Sequence, residues 1–246
     1  MVASRGSARS ISACLNDGAC AQAARARHGR EFGHRRGHLA ARLLEAGWSV
    51  VALSRRAPAL VHCDLCHVAV DIADRDAFVA ALDAIQPVEA LVHAAGAPRV
   101  GRIDEEDVEA GRRMWRLHVG AAVDLVERFA PHMGAGGRVV LIGSRTAAGS
   151  AGRAQYAASK AALAGLSRSW AIELIARGVT VNVVAPGATD TPMLRDPARA
   201  GLAPKTPPLG RFVRPEEVAA LVAFLLSPAA ASLTGQQIVV CAGALL

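Results

Sequence analysis

Tyr156 and Lys160 stand four residues apart in the segment QYAASKAALAGL. On a predicted helix that spacing puts both side chains on one face, one turn from each other, so a phenol and an ammonium can meet. An ammonium about 4 Å from a phenol, at an effective dielectric of about 20, favours the phenolate by ~4 kcal/mol and brings phenol acid–base chemistry towards neutral pH. A phenol placed in this way passes a proton to or from an alcohol. Ser144 closes the apolar run GRVVLIGS. If that run is a strand, the Ser144 hydroxyl projects from the carboxyl edge of a sheet, where open α/β folds bind ligands, and it can hold a carbonyl oxygen.

Such a set needs a scaffold that brings a strand end and a helix face together, and the chain supplies a regular one. HLAARLLEAG reads as an amphipathic helix ended by Gly47, and WSVVALS follows at once as an apolar strand. CHVAVDI, VEALVHAAG, GRVVLIGS, VTVNVVAPG and QQIVVCAG each read as a further buried parallel strand. Helices are predicted between them over 76–85, 105–133, 155–177 and 215–226. The last opens on Pro215, with Glu216 and Glu217 near its positive end. Alternating strands and helices define an α/β fold with a parallel sheet covered on both faces. The 246 residues suit one such domain. The stretch 192–212 carries five prolines and no apolar period, so it reads as a loop or lid over one end of the sheet.

Composition excludes several classes. With 52% apolar and 20% charged residues the chain is not a disordered tail. Its longest uninterrupted apolar run, Val218 to Leu226, is far too short for a bilayer span, so no membrane role is expected. The net charge of +7 is uneven: Arg5, Arg9, Arg25, Arg27, Arg30, Arg35 and Arg36, against Asp17 and Glu31, place +5 of it in residues 1–36. The body is nearly neutral, and the few aromatics do not interleave with basic residues, so no nucleic-acid partner is expected. Five scattered cysteines argue against a disulfide scaffold and for a reducing, cytoplasmic setting. HCDLCH, from His62 to His67, contains the C-x-x-C-H spacing of haem attachment. It abuts an apolar strand with no other ligand cluster near it in sequence, so no metal site is expected.

The ordered set HAAG, IGS, YAASK, VNVVAPGATDT and LTGQQIVVCAG resembles the short-chain dehydrogenase/reductase family over residues 37–246. The resemblance implies a single Rossmann-type domain, doubly wound around a parallel sheet, that binds a nicotinamide dinucleotide and moves hydride between it and a small carbonyl or alcohol substrate. It implies Tyr156 as general acid/base, Lys160 as the group that lowers its pKa and holds the nicotinamide ribose, and Ser144 as the group that orients the substrate oxygen. It also implies Ala95 and Gly96 against the adenine-side ribose, Asp71 and Ile72 beside adenine, and Pro186, Gly187, Thr189 and Thr191 around the nicotinamide amide. Asp64 and Leu65 are a second candidate pair for the adenine edge. Cofactor choice is read where the second strand of such a fold ends, here Ser54, Arg55 and Arg56; basic residues there favour NADP over NAD. A homodimer or homotetramer is implied as well.

Two features depart from the family pattern. An asparagine that helps hold a water of the proton relay is replaced by His118 in WRLHVGAAV; an imidazole can also donate and accept. The larger departure is residues 1–36, where ACAQAARARHGREFGHRRGHL replaces the first strand and its glycine-rich turn. That segment reads as anomalous and poorly ordered, which leaves the first strand in doubt and admits a non-catalytic subunit with the same fold as the alternative. Its composition is also that of a transit peptide. Read one base later, codons for Arg25–Arg36 permit Val-Leu-Val-Thr-Gly-(Gly/Ala)-(Asn/Ser)-Ser-Gly-Ile-Gly, the strand and turn in question. Two compensating frame shifts account for the anomaly on that reading. An uninterrupted frame on resequencing the locus would exclude them.

Overall fold

The computed structural model describes residues 1–4, 34–195 and 205–246. Most of the anomalous segment therefore lies outside the described residues, as do 196–204 of the expected lid. Among the described residues the strands are β1 (Val2–Ser4), β2 (Ser49–Ser54), β3 (Leu65–Ala69), β4 (Ala90–His93), β5 (Arg138–Ile142), β6 (Thr180–Pro186) and β7 (Gln237–Val240). The α-helices are α1 (His34–Glu45), α2 (Arg75–Asp83), α3 (Val108–Trp115), α4 (Ala121–Phe129), α5 (Ala154–Leu174) and α6 (Pro215–Leu225).

One sheet takes the order β3-β2-β1-β4-β5-β6-β7, which is that of a doubly wound nucleotide-binding fold. The six expected strands are all present, and those that touch each other run parallel. The central slot is filled by Val2–Ser4, which runs antiparallel to both neighbours, with Val2 opposite Val51 and Leu91. The sheet is thus mixed. Three residues suffice because the slot asks only for alternation: Val2 packs into the core on one face and Ala3 into the core on the other. Met1 completes the ladder, its nitrogen donating to Val92 O at 2.9 Å while its own carbonyl accepts from Val92 N–H at 2.8 Å.

β5 and β6 are buried along their whole length, as parallel strands covered on both faces must be. Phe78 and Leu82 of α2, Leu125 and Phe129 of α4, and Leu163 of α5 cover one face; Leu39 and Leu43 of α1 and Val222 and Leu225 of α6 cover the other. Helix starts obey local chemistry: the Asp74 and Asp107 carboxylates cap α2 and α3 by accepting from Ala77 N–H and Ala110 N–H. The single helix expected over 105–133 is interrupted by a π-helical turn at Arg116–Gly120. The Arg116 guanidinium bonds to the buried Asp124 carboxylate two turns further on, which also pairs with Arg75 of α2 at 3.5 Å. A side chain at Gly120 would overlap that guanidinium. Residues 192–195 form a short 3-10 turn at the start of the expected lid.

Candidate active site

Ser144, Tyr156 and Lys160 converge at the carboxyl edge of the sheet. β5 ends at Ile142, and Gly143 makes the turn; a Cβ there would lie 2.7 Å from Val183 Cγ1, so only glycine lets the chain leave the sheet so close to β6. Ser144 then caps a 3-10 turn, its Oγ accepting from Thr146 N–H at 3.2 Å and lying 2.7 Å from Thr146 Oγ1. Gly149, at φ +107, ends the turn in a conformation that disfavours any side chain. α5 starts five residues later and carries both Tyr156 and Lys160. Lys160 is buried, and its Nζ donates to Ile142 O at 2.8 Å. Tyr156 is half-buried; it lines one cavity of about 70 Å³ together with Ser144, Pro186, Gly187, Thr189 and Thr191.

The loop after β6 is as tightly determined. A Cβ on Gly187 would lie 2.9 Å from Cys241 Cα, a backbone atom that cannot swing aside. Thr189 and Thr191 are buried, and their hydroxyls donate to Gly187 O at 3.0 Å and Thr189 O at 3.3 Å. Their expected contact with a ligand therefore falls to the backbone and the remaining lone pairs rather than to free O–H groups.

A larger groove of about 570 Å³ runs beside this cavity, sharing Pro98 and Arg99 with it. Ser54, Arg55, Asp71, Ile72, Ala95 and Gly96, all singled out from sequence, line it. Asp71 sits just past the carboxyl end of β3, whereas Asp64 precedes β3 at the opposite edge of the sheet, so the geometry favours the Asp71 and Ile72 pair. Arg55 is 78% exposed and lies 3.8 Å from the Asp71 carboxylate. The Ser54 hydroxyl is internally engaged, donating to Arg56 O at 2.8 Å and lying 3.2 Å from His67 Nε2. At Gly96 a Cβ would meet His118 Nε2 at 3.2 Å and Lys160 Nζ at 3.3 Å, which places this turn directly over the lysine.

His118 is fully buried within the π turn, edge-on to the Tyr156 ring at 5.6 Å between centroids. Its Nε2 accepts from Ala97 N–H at 3.1 Å, and its Nδ1 lies 2.9 Å from Ser159 Oγ. Ser159 gives its own proton to Tyr156 O, so it must accept from His118, and the proton sits on Nδ1. Both ring nitrogens are thus engaged by protein groups, and the expected capacity to hold a relay water is already spent. Burial, with the Lys160 charge beside it, pulls the His118 pKa down to about 2.

Sequence inspection passed over two residues of this region. His93, at the end of β4, is buried with an unpartnered Nε2, and burial followed by the Lys160 charge pulls its pKa down to about 3. The one polar residue in LVHAAG was the available signal. Arg145, next to Ser144, lines the smaller cavity; a charged residue after a strand looked like plain surface. Among the described residues one group has metal-ligand geometry, His62, Cys63 and Asp64, on the exposed turn before β3 at the edge of the sheet away from the site.

A doubly wound sheet with a tyrosine, a lysine and a serine at its carboxyl edge, beside a dinucleotide-sized groove, defines an oxidoreductase of the Rossmann class. The family model described as Enoyl-(Acyl carrier protein) reductase matches residues 37–244, and the chain belongs to the short-chain dehydrogenase/reductase family. A cis-4-hydroxycyclohexanecarboxylate dehydrogenase of Sinomonas cyclohexanicum is 36% identical over 187 residues, 72% of this chain and 75% of that protein. The 3-oxoacyl-[acyl-carrier-protein] reductase FabG of Salmonella typhimurium is 47% identical over 111 residues, which span 44% of this chain and 45% of FabG. Among solved structures, a short-chain dehydrogenase from Burkholderia cenocepacia in complex with NADP superposes with a TM-score of 0.80 at 31% identity, covering 87% of this chain and 94% of that one. No helix among the described residues is long and apolar enough to cross a membrane.

Proposed function

We propose that the protein catalyses reversible hydride transfer between NADP(H) and a small ketone or secondary alcohol. The observation that carries this reading is the shared cavity of Ser144 and Tyr156, opening beside a groove bordered by Arg55 and Arg56, with the buried Lys160 bonded to the last residue of the strand that leads into Ser144. The groove fits a dinucleotide at both ends. Gly96 has no side chain to crowd the groove it lines, and the exposed guanidinium of Arg55 suits a 2′-phosphate better than a free hydroxyl. Pro186, Gly187, Thr189 and Thr191 would flank the nicotinamide, and Asp71 with Ile72 the adenine. The diphosphate would lie at the start of α1, whose preceding turn falls outside the described residues.

When bound, the dinucleotide supplies or accepts the hydride. In the reductive direction the new C–H bond forms at the carbonyl carbon, and the electron pair of the C=O π bond moves to oxygen. Ser144 Oγ orients that oxygen, and Tyr156 Oη gives it a proton. The buried Lys160 ammonium stabilises the phenolate left behind. His118 is a positioning residue here: it ties the Ala97 turn to α5 through Ser159 and does not itself touch substrate. We further place the protein in the cytoplasm as a homodimer or homotetramer, in keeping with its family.

Mixing the purified chain with NADPH, and separately with NADH, while following reduced-nicotinamide fluorescence and its loss against a panel of ketones tests the reading. Quenching or enhancement on binding, followed by ketone-dependent oxidation, is expected. A folded chain that changes the signal of neither dinucleotide would instead favour a non-catalytic subunit with this fold.

A further inference from the structure

The cavity that holds Ser144 and Tyr156 is strongly cationic on its wall. Arg99, Arg145 and Arg153 all line it, and among the described residues no aspartate or glutamate does. Arg99 is matched outside the cavity by Asp107, at 3.1 Å. Arg145 and Arg153 each bury an Nε with no hydrogen-bond partner, but Arg153 is held by a further interaction, whereas Arg145, half-buried, reaches the Ala244 carbonyl through Nη1 at a long 3.4 Å. Among the described residues no carboxylate pairs with it. A buried guanidinium N–H left unpaired is costly, and such groups in folded proteins normally have a partner. Arg145 also follows Ser144 directly, so its Cα stands about 3.8 Å from that of the residue that would hold the substrate oxygen.

We propose that Arg145 is the substrate-anion contact of this enzyme, and that its substrate is a small oxo or hydroxy acid whose carboxylate pairs with the Arg145 guanidinium while its carbonyl or hydroxyl lies at Ser144 and Tyr156. The assignment rests on the oxidoreductase reading above and adds the substrate class. A guanidinium fork matches a carboxylate with two parallel N–H bonds, and the charge in a half-buried wall is little screened. A neutral ketone of the same size would leave Arg145 as it stands now, with Nε unsatisfied.

The test is calorimetric, with NADPH present, using cyclohexanecarboxylate and its neutral counterpart cyclohexanecarboxamide. The acid is expected to bind about 10- to 100-fold more tightly than the amide, the range of a charged hydrogen-bonded pair. In Arg145→Gln that ratio falls to about one, and Arg145→Lys, which keeps the charge but loses the fork, recovers part of it. Equal affinities in the unsubstituted protein, binding of neither ligand, or an unchanged ratio in a folded Arg145→Gln would each overturn the proposal. If Arg145→Gln does not fold, the ratio in the unsubstituted protein and in Arg145→Lys still decides. Turnover of 4-oxocyclohexanecarboxylate, followed in parallel, separates the two layers: turnover with equal affinities refutes the carboxylate contact alone, and a carboxylate preference without turnover of that oxo acid refutes the oxidoreductase reading alone.

Discussion

Lowering the pH from 7 to 5 should destabilise this protein steeply, and two buried imidazoles supply the reason. The His93 pKa is drawn from 6.5 to about 3 and the His118 pKa from 6.5 to about 2, in each case by burial first and by the Lys160 charge second. Both folded-state values lie below the unfolded one, so the unfolded chain takes up protons between pH 6.5 and about 3 while the folded chain does not. Stability is therefore fully present above about pH 6.5 and is lost as the pH falls through that window. Each imidazole costs about 1.4 kcal/mol per pH unit once the pH is well under 6.5, on the order of 2 kcal/mol by pH 5 and on the order of 4 kcal/mol for the pair. That is a large share of the 5–15 kcal/mol typical of a domain. Ordinary carboxylates have barely begun to protonate at pH 5, so the two histidines dominate the window. Urea unfolding at pH 7, 6 and 5, followed by tryptophan fluorescence, reads the effect. His118→Asn, whose amide can accept from Ala97 N–H and donate to Ser159 Oγ without titrating, should remove about half of the loss. A urea midpoint that does not move between pH 7 and 5, or an equal loss in His118→Asn, would refute the reasoning.

Other expectations follow from single contacts. Gly187→Ala would drive a Cβ to 2.9 Å from Cys241 Cα. Since backbone must move, a loss of about 1–3 kcal/mol is expected, readable as a lower thermal midpoint, and an unchanged midpoint would contradict the contact. Arg55→Asp should cut the NADP-over-NAD preference in kcat/KM by about 10- to 100-fold, the worth of a charged hydrogen bond turned repulsive; a preference that stays put would remove Arg55 from cofactor choice.

β5 and β6 were legible because burial on both faces writes continuous apolar runs, RVVLI and TVNVVAP, whereas the half-exposed β3 and β7 were read from the same apolar bias without that burial. Tyr156 and Lys160 could be placed on one helix face by spacing alone, and Ser144 at a strand end. The filling of the central slot was not legible: Val2–Ser4 is too short to show a period, and its antiparallel direction is set by the two strands that flank it. The π turn at Arg116–Gly120 was hidden for a related reason: the Arg116–Asp124–Arg75 pairing beside it joins two helices, which no local pattern records. His118 was found by position, but its engagement on both nitrogens is a tertiary fact. Arg145 escaped notice because a lone arginine after a strand is indistinguishable from a solvated one until the cavity beside it is seen.

Tyr156 is the chain's one tyrosine, so Tyr156→Phe removes its only phenol while leaving the ring that packs edge-on to His118. The decisive measurement is the single-turnover rate of NADPH oxidation by a reducible ketone, in the unsubstituted protein and in Tyr156→Phe, with the dinucleotide affinity of each taken from fluorescence. The account predicts a rate lower by roughly 100-fold or more, the contribution of a positioned general acid, with affinity changed only a few-fold. A variant that transfers hydride at the original rate would contradict the claim that this phenol is the proton donor.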